Sequence, residues 1–78
     1  MVTEAERTGR EAVTIAQKSD YINEQADVLM SLSEVLQLAG KAGEGAMAAQ
    51  EAFGLYERKG NIVSARQANH RIVELTAA

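Results

Sequence analysis

The chain of 78 residues contains no cysteine, no proline and no tryptophan. Without cysteine it has no disulfide, no thiolate chemistry and no metal site built on thiolates. This composition fits a reducing compartment, and we expect a cytoplasmic protein. The absence of proline removes the strongest helix breaker. Because alanine, glutamate, glutamine, leucine and arginine are abundant and are good helix formers, the composition predicts helices.

Charge and hydropathy exclude several classes of function. The net charge is −3 with acids and bases interspersed, and no basic block follows a phosphate backbone, so we expect no nucleic-acid partner. No apolar run approaches the roughly 18 residues of a membrane span. The N-terminus lacks a basic segment followed by an apolar one, so we expect no secretory signal. The length predicts one domain, residues 1–78, with a modest core.

Apolar residues recur at helical spacing in four segments, and no segment alternates with a period of two residues. We therefore predict an all-α fold of about four helices, over residues 3–18, 21–39, 44–59 and 62–75. The short link 40–43 makes the second and third helices an antiparallel hairpin.

Local signals mark the ends of these helices. Thr3 and Glu6 have the spacing of a capping box, in which each side chain meets the other residue's backbone N–H. Ser19 and Asp20 are N-cap candidates for the second helix. The remaining predicted end signals are the glycines that stop helices two and three and the N-cap of the fourth, Gly40, Gly60 and Asn61.

Each helix carries a stripe that we expect to face inward. In the first helix the stripe is Ala5, Gly9, Ala12, Val13 and Ala16. In the second it is Ile22, Ala26, Leu29, Leu32, Leu36 and Ala39. In the third it is Gly45, Ala49, Ala52, Phe53 and Tyr56, and in the fourth it is Ile62, Ala65, Ala68, Ile72 and Leu75. The leucines of helix two thus face small residues of helix three, which predicts close packing of the two axes.

This alternation of large and small residues has a fixed spacing. The large–x–x–large–small–x–x–large positions are Leu29, Leu32, Ser33 and Leu36, the turn is Gly40, and the small positions that follow are Gly45, Ala49 and Ala52. The spacing resembles the tetratricopeptide repeat, a helical hairpin of 34 residues. The repeat's usual Trp, Tyr, Phe and Pro are replaced by Leu29, Leu36, Ala49 and Glu57. The resemblance implies that residues 23–56 form one repeat, that helix one is the second helix of a preceding repeat, and that helix four is a cap or half of another.

A narrower likeness covers roughly residues 20–75 and is carried mainly by "SEVLQLAG" and "YERKGN". This stretch resembles the last repeats of large actinobacterial regulators, which include adenylate-cyclase-like and transcriptional-regulator ATPases. The likeness implies a protein–protein interaction module at the C-terminal end of a larger signalling or transcription regulator.

In the tetratricopeptide family the first helices line a concave groove. The resemblance therefore implies a set of partner-binding candidates on helix two: Asn23, Asp27, Met30, Glu34, Gln37 and Leu38. Met30 and Leu38 are apolar residues on an otherwise polar face, and a mixture of methionine, acids and amides suits a peptide or helix partner. We expect the basic cluster of Arg66, His70 and Arg71 to pair with nearby glutamates; holding an acidic partner is the alternative.

Self-association is the alternative function. About three repeats are needed for stability, and this chain has about two. We expect the isolated chain to form a homodimer that covers the stripes of the end helices, with a predicted interface of Ala12, Val13, Ala16, Ile72 and Leu75. A small all-α enzyme is the least favoured class, because no two polar residues converge. We predict no catalytic residue, no cofactor and no metal.

Overall fold

The computed structural model describes residues 3–77. Over these residues the fold is all-α, with no strand and with four helices. They are α1 (Glu4–Ala16), α2 (Ile22–Leu38), α3 (Ala42–Lys59) and α4 (Ile62–Thr76). The predicted fold class is confirmed, and no helix end differs from its predicted position by more than two residues.

Most of the predicted end signals act as expected. Gly40 and Gly60 adopt φ values of 79° and 82°, the left-handed conformation that glycine allows at a helix end. Asn61 Oδ1 accepts a hydrogen bond from the Ser64 backbone N–H at 3.2 Å and caps α4.

Two end signals differ from the prediction. Thr3 Oγ1 caps α1 by accepting from the Glu6 N–H at 3.0 Å, but the Glu6 carboxylate bonds to Lys41 and Arg10 instead of completing a capping box. The N-cap of α2 is Tyr21, with no side-chain cap, rather than Ser19 or Asp20. Ser19 Oγ instead accepts from the Tyr21 N–H.

The four helices form a thin array in which each packs against its neighbours in the chain, within 35 × 31 × 13 Å. Helices α2 and α3 are antiparallel, because Ser33 contacts Gly45 whereas Asp27 contacts Tyr56. Helices α3 and α4 are also antiparallel, because Gly45 near the start of α3 lies beside Leu75 near the end of α4. Alternate helices reach one another through side chains, from α1 to α3 and from α2 to α4. The array therefore has one groove between α2 and α4 on one face and another between α1 and α3 on the opposite face.

The contact between α2 and α3 is the centre of the core, as predicted from the large and small residues. The buried leucines of α2 lie in one cluster with small residues and one tyrosine of α3: Leu29, Leu32, Leu36, Ala48, Ala52 and Tyr56. At Gly45 the helices approach so closely that a Cβ atom would lie 3.0 Å from the Ser33 carbonyl oxygen. Ser33 Oγ donates to the Gly45 carbonyl at 2.7 Å, so the buried hydroxyl has a partner.

Two predictions of inward-facing residues are wrong. Ala5 is exposed, and Glu6 is buried in its place, because α1 is rotated so that Glu6, Gly9 and Val13 face the array. Ile62 is 69% exposed. It is the first residue of α4, one turn before Ala65, where the helix first becomes buried against the core.

Candidate functional site

The groove between α2 and α4 is held at both ends by side-chain hydrogen bonds. Asn61 Nδ2 donates to Asn23 Oδ1 at 3.2 Å at one end, and Arg71 Nη1 donates to Gln37 Oε1 at 3.1 Å at the other. Between them lies a hollow of about 550 Å³. It is lined by one residue of α2 and six of α4: Met30, Val63, Arg66, Gln67, His70, Arg71 and Glu74.

Asp27 is fixed beside this groove by Tyr56. The Tyr56 hydroxyl donates a hydrogen bond to Asp27 Oδ1. Burial of the tyrosine, and secondly its hydrogen bond to the carboxylate, raise the pKa of Tyr56 well above its ordinary value of 10. The hydroxyl therefore stays a proton donor at neutral pH and keeps one oxygen of Asp27 occupied.

The structure places three of the six predicted partner-binding residues in this groove or in its end bridges. Asn23 and Gln37 bridge to α4, and Met30 is half-buried and lines the hollow. Glu34 is exposed one helical turn from Met30. Leu38 is different: it is 82% exposed, stands at the end of α2 and is not part of the hollow's lining.

The residues that the sequence-based prediction missed belong to the α4 wall, which is the set of α4 residues that line the hollow. Val63, Gln67 and Glu74 follow one another at helical spacing and are exposed, opposite the buried Ala65 and Ala68. The spacing shows that they share a face of α4. It does not show that this face lies alongside Met30, because that depends on how α4 packs.

A second groove lies between α1 and α3, over α2. Two adjoining hollows of about 340 and 200 Å³ share Val13, Gln17, Leu29 and Glu51. Of the predicted dimer residues, only Val13 lines this groove, although all five are half-buried: Ala12, Val13, Ala16, Ile72 and Leu75. Three of them are on α1 and two are on α4, so the array itself does not join them into one surface.

A cluster of charged side chains ties α1 to the start of α3. The Glu6 carboxylate accepts from Lys41 Nζ at 2.9 Å and from Arg10 Nε at 3.0 Å, and Arg10 continues to Glu44 at 2.9 Å. The hydrogen bond from Lys41 is the main cause of a lowered Glu6 pKa; burial opposes it, and Arg10 adds to the lowering. This cluster of ion pairs holds α1 against the N-terminal end of α3.

Among residues 3–77, no group of three or more His, Asp or Glu side chains is arranged to hold a metal ion. His70 is 78% exposed, and its Nε2 lies 3.7 Å from Glu74 Oε1. Every buried side-chain nitrogen or oxygen in the described part has a hydrogen-bond partner, so none is left directed at a ligand. None of the described helices has the length and apolar character needed to cross a bilayer.

In comparisons with known proteins, no protein-family model, curated protein or solved structure matches the chain.

Proposed function

We propose that this chain is a protein–protein interaction module that binds a partner protein in the α2–α4 groove. The observation that carries the proposal is the hollow of about 550 Å³ between two helices that are bridged at both ends. Bridged walls are already in place before a partner arrives, which reduces the conformational entropy lost on binding.

The lining of the groove suits a peptide. Met30 and Val63 offer apolar contact, and methionine adapts its shape to different side chains. Polar and charged groups surround them and can fix the orientation of a bound segment. Val63 is 70% exposed, so a partner would cover apolar surface that water now contacts.

The tetratricopeptide resemblance supports the same proposal, because α2 has the place of a first helix in that register. From the likeness of residues 20–75 to bacterial regulators, we also propose that the chain belongs to a larger signalling or transcription regulator in the cytoplasm. In that setting the groove would recruit a partner protein and would carry no chemistry of its own.

The proposal is tested by selecting peptides from a displayed library on the purified chain. We expect selected peptides to bind the wild type and to lose at least about tenfold in affinity with Val63→Asp, since a carboxylate would then stand in the apolar contact. Val73→Asp is the matched control, because Val73 is also an exposed valine of α4 but does not line the hollow. Peptides that bind both variants equally, or a library that yields no binder, would refute the proposal.

Self-association is the second candidate, and the α1–α3 groove favours it. Its lining includes Val13, Leu29 and Leu55, and Met47 at its edge is exposed. A second copy could cover this surface in a two-fold dimer. Sedimentation over a range of concentrations tests it: a dimer that Met47→Glu dissociates supports self-association, and a folded monomer at every concentration rules it out.

A further inference from the structure

The α4 wall of the groove carries positive charge that the chain does not neutralise. The sequence has 11 acidic and 8 basic residues, so carboxylates are in surplus. Yet among the described residues no carboxylate lies within ion-pair distance of Arg66 or Arg71. Arg71 bonds instead to the neutral amide of Gln37. Guanidinium groups form their strongest hydrogen bonds with carboxylates, and a partner's carboxylates could bind these two arginines.

The opposite wall has the opposite charge. Asp27 and Glu34 lie three residues before and four residues after Met30, so all three share one face of α2. Asp27 is held in place by the Tyr56 hydroxyl. The groove therefore has two acids along α2 and two guanidinium groups along α4, with the side chain of Met30 between them. Glu74 is the one carboxylate on the described α4 wall, and it lies 3.7 Å from His70 Nε2 and not within ion-pair distance of either arginine.

Resting on the proposed function, we infer that the partner segment is an amphipathic peptide with a bulky apolar anchor and with acidic residues on the side that faces α4. The anchor would contact Met30 and Val63, and its carboxylates would meet Arg66 and Arg71. Acids on the side facing α2 would be repelled by Asp27 and Glu34. The inferred partner thus carries its negative charge on one flank of its apolar stripe.

Three synthetic peptides test this inference. Each has about 16 residues, enough as a helix to follow α2 from Asn23 to Gln37, and each has the same leucine stripe with glutamine on one flank. The other flank is glutamate in the first peptide, glutamine in the second and lysine in the third. In fluorescence anisotropy we expect the glutamate peptide to bind about tenfold or more tighter than the glutamine peptide, and the lysine peptide to bind most weakly.

Two substitutions assign the preference to the α4 wall. Arg66→Gln removes one of the two guanidinium groups, so it should reduce the roughly tenfold preference for the glutamate peptide over the glutamine peptide to about threefold. Arg58→Gln is the matched control, because Arg58 is an exposed arginine of α3 that lines the other groove. Arg71 is left intact, since its side chain bridges to Gln37.

The outcomes separate this inference from the proposed function. If the glutamine or lysine peptide binds as tightly as the glutamate peptide, and Val63→Asp still weakens it, the acidic class is wrong and the groove remains a binding site. A glutamate preference that Arg66→Gln leaves undiminished also overturns the inference. If no peptide binds in a way that depends on Val63, both the inference and the proposed function fail.

Discussion

The Nζ atom of Lys41 lies 2.9 Å from Oε1 of Glu6, a carboxylate whose side chain is only 2% exposed. Lys41 is the N-cap residue of α3, so this ion pair joins the first turn of α1 to the start of the third helix. The remainder of the α1 contact is made by small or half-buried residues such as Gly9 and Val13. The attachment of α1 therefore combines a buried ion pair with apolar packing.

The ion pair of Glu6 with Lys41 predicts that the packing of α1 on the other helices weakens in acid. Because the pKa of Glu6 in the folded chain is below its ordinary value of 4.5, the ionised form stabilises the fold. The contribution is complete above 4.5 and is lost as the pH falls through the lowered value. Hydrogen exchange should show α1 amides losing protection over that range before those of α2 and α3.

The Glu6→Gln variant should have weakly protected α1 amides already at neutral pH, because Lys41 and Arg10 lose their shared anion. In acid it should resemble the wild type. Glu11→Gln is the control, since Glu11 is exposed on the same helix. Equal α1 protection in Glu6→Gln and Glu11→Gln at neutral pH would mean that the ion pairs do not hold α1.

Two glycines of α3 should respond in opposite directions to the same substitution. In Gly45→Ala the new Cβ would lie 3.0 Å from the Ser33 carbonyl oxygen and 3.4 Å from Leu75 Cδ1, so we expect a loss of about 1–3 kcal/mol. In Gly54→Ala the Cβ meets nothing within 4 Å, and the better helix propensity should add about 0.5–1 kcal/mol. Urea unfolding measures both; equal stabilities would show that α2 and α3 are not in close contact at Gly45.

The contact of α2 with α3 should be sensitive to volume in both directions. Leu32→Ala should leave a cavity and cost roughly 2–5 kcal/mol, and Ala52→Leu should overpack a fully buried site and cost roughly 1–3 kcal/mol. Leu38→Ala, at an exposed position, should change the free energy of unfolding by less than about 0.5 kcal/mol. Unchanged melting temperatures in the first two variants would contradict the assigned core.

The hydroxyl of Tyr56 should contribute separately from its ring. Tyr56→Phe keeps the buried ring and removes the bond to Asp27, so we expect a loss of about 1 kcal/mol in thermal or urea unfolding. In a Tyr21→Phe background, the phenolate absorbance of Tyr56 should appear only well above pH 10, because burial and Asp27 both raise its pKa. Ionisation near pH 10 would show that the hydroxyl is neither buried nor bonded to Asp27.

Local and periodic signals were enough to predict the helices. Gly40, Gly60 and Asn61 act through their own backbone or through a neighbour three residues away, so they are readable from sequence. The α2–α3 contact could also be predicted, because leucines and small residues differ strongly in volume. The rotation of α1 could not, since its stripe of alanine and glycine gives little contrast, and burial of Glu6 depends on Lys41, which is 35 residues away.

In the candidate site, the α2 residues could be predicted from the sequence and the α4 residues could not, again because the latter depend on packing between distant segments. The α2 residues followed from a family register, and Asn23, Met30 and Gln37 do lie at the groove. The α4 wall requires knowing that α4 returns parallel to α2 on the same face, which is a property of packing. The predicted dimer residues are half-buried on α1 and α4, and their role in a dimer stays a prediction.

Chemical-shift mapping with an isotope-labelled chain and a selected peptide tests the central claim most directly. If the α2–α4 groove is the binding site, the largest shifts will fall at Met30, Val63 and Gln67, and residues such as Gln17 and Glu51 in the α1–α3 groove will stay unchanged. Largest shifts at Gln17 and Glu51, or shifts scattered over all four helices, would contradict the account.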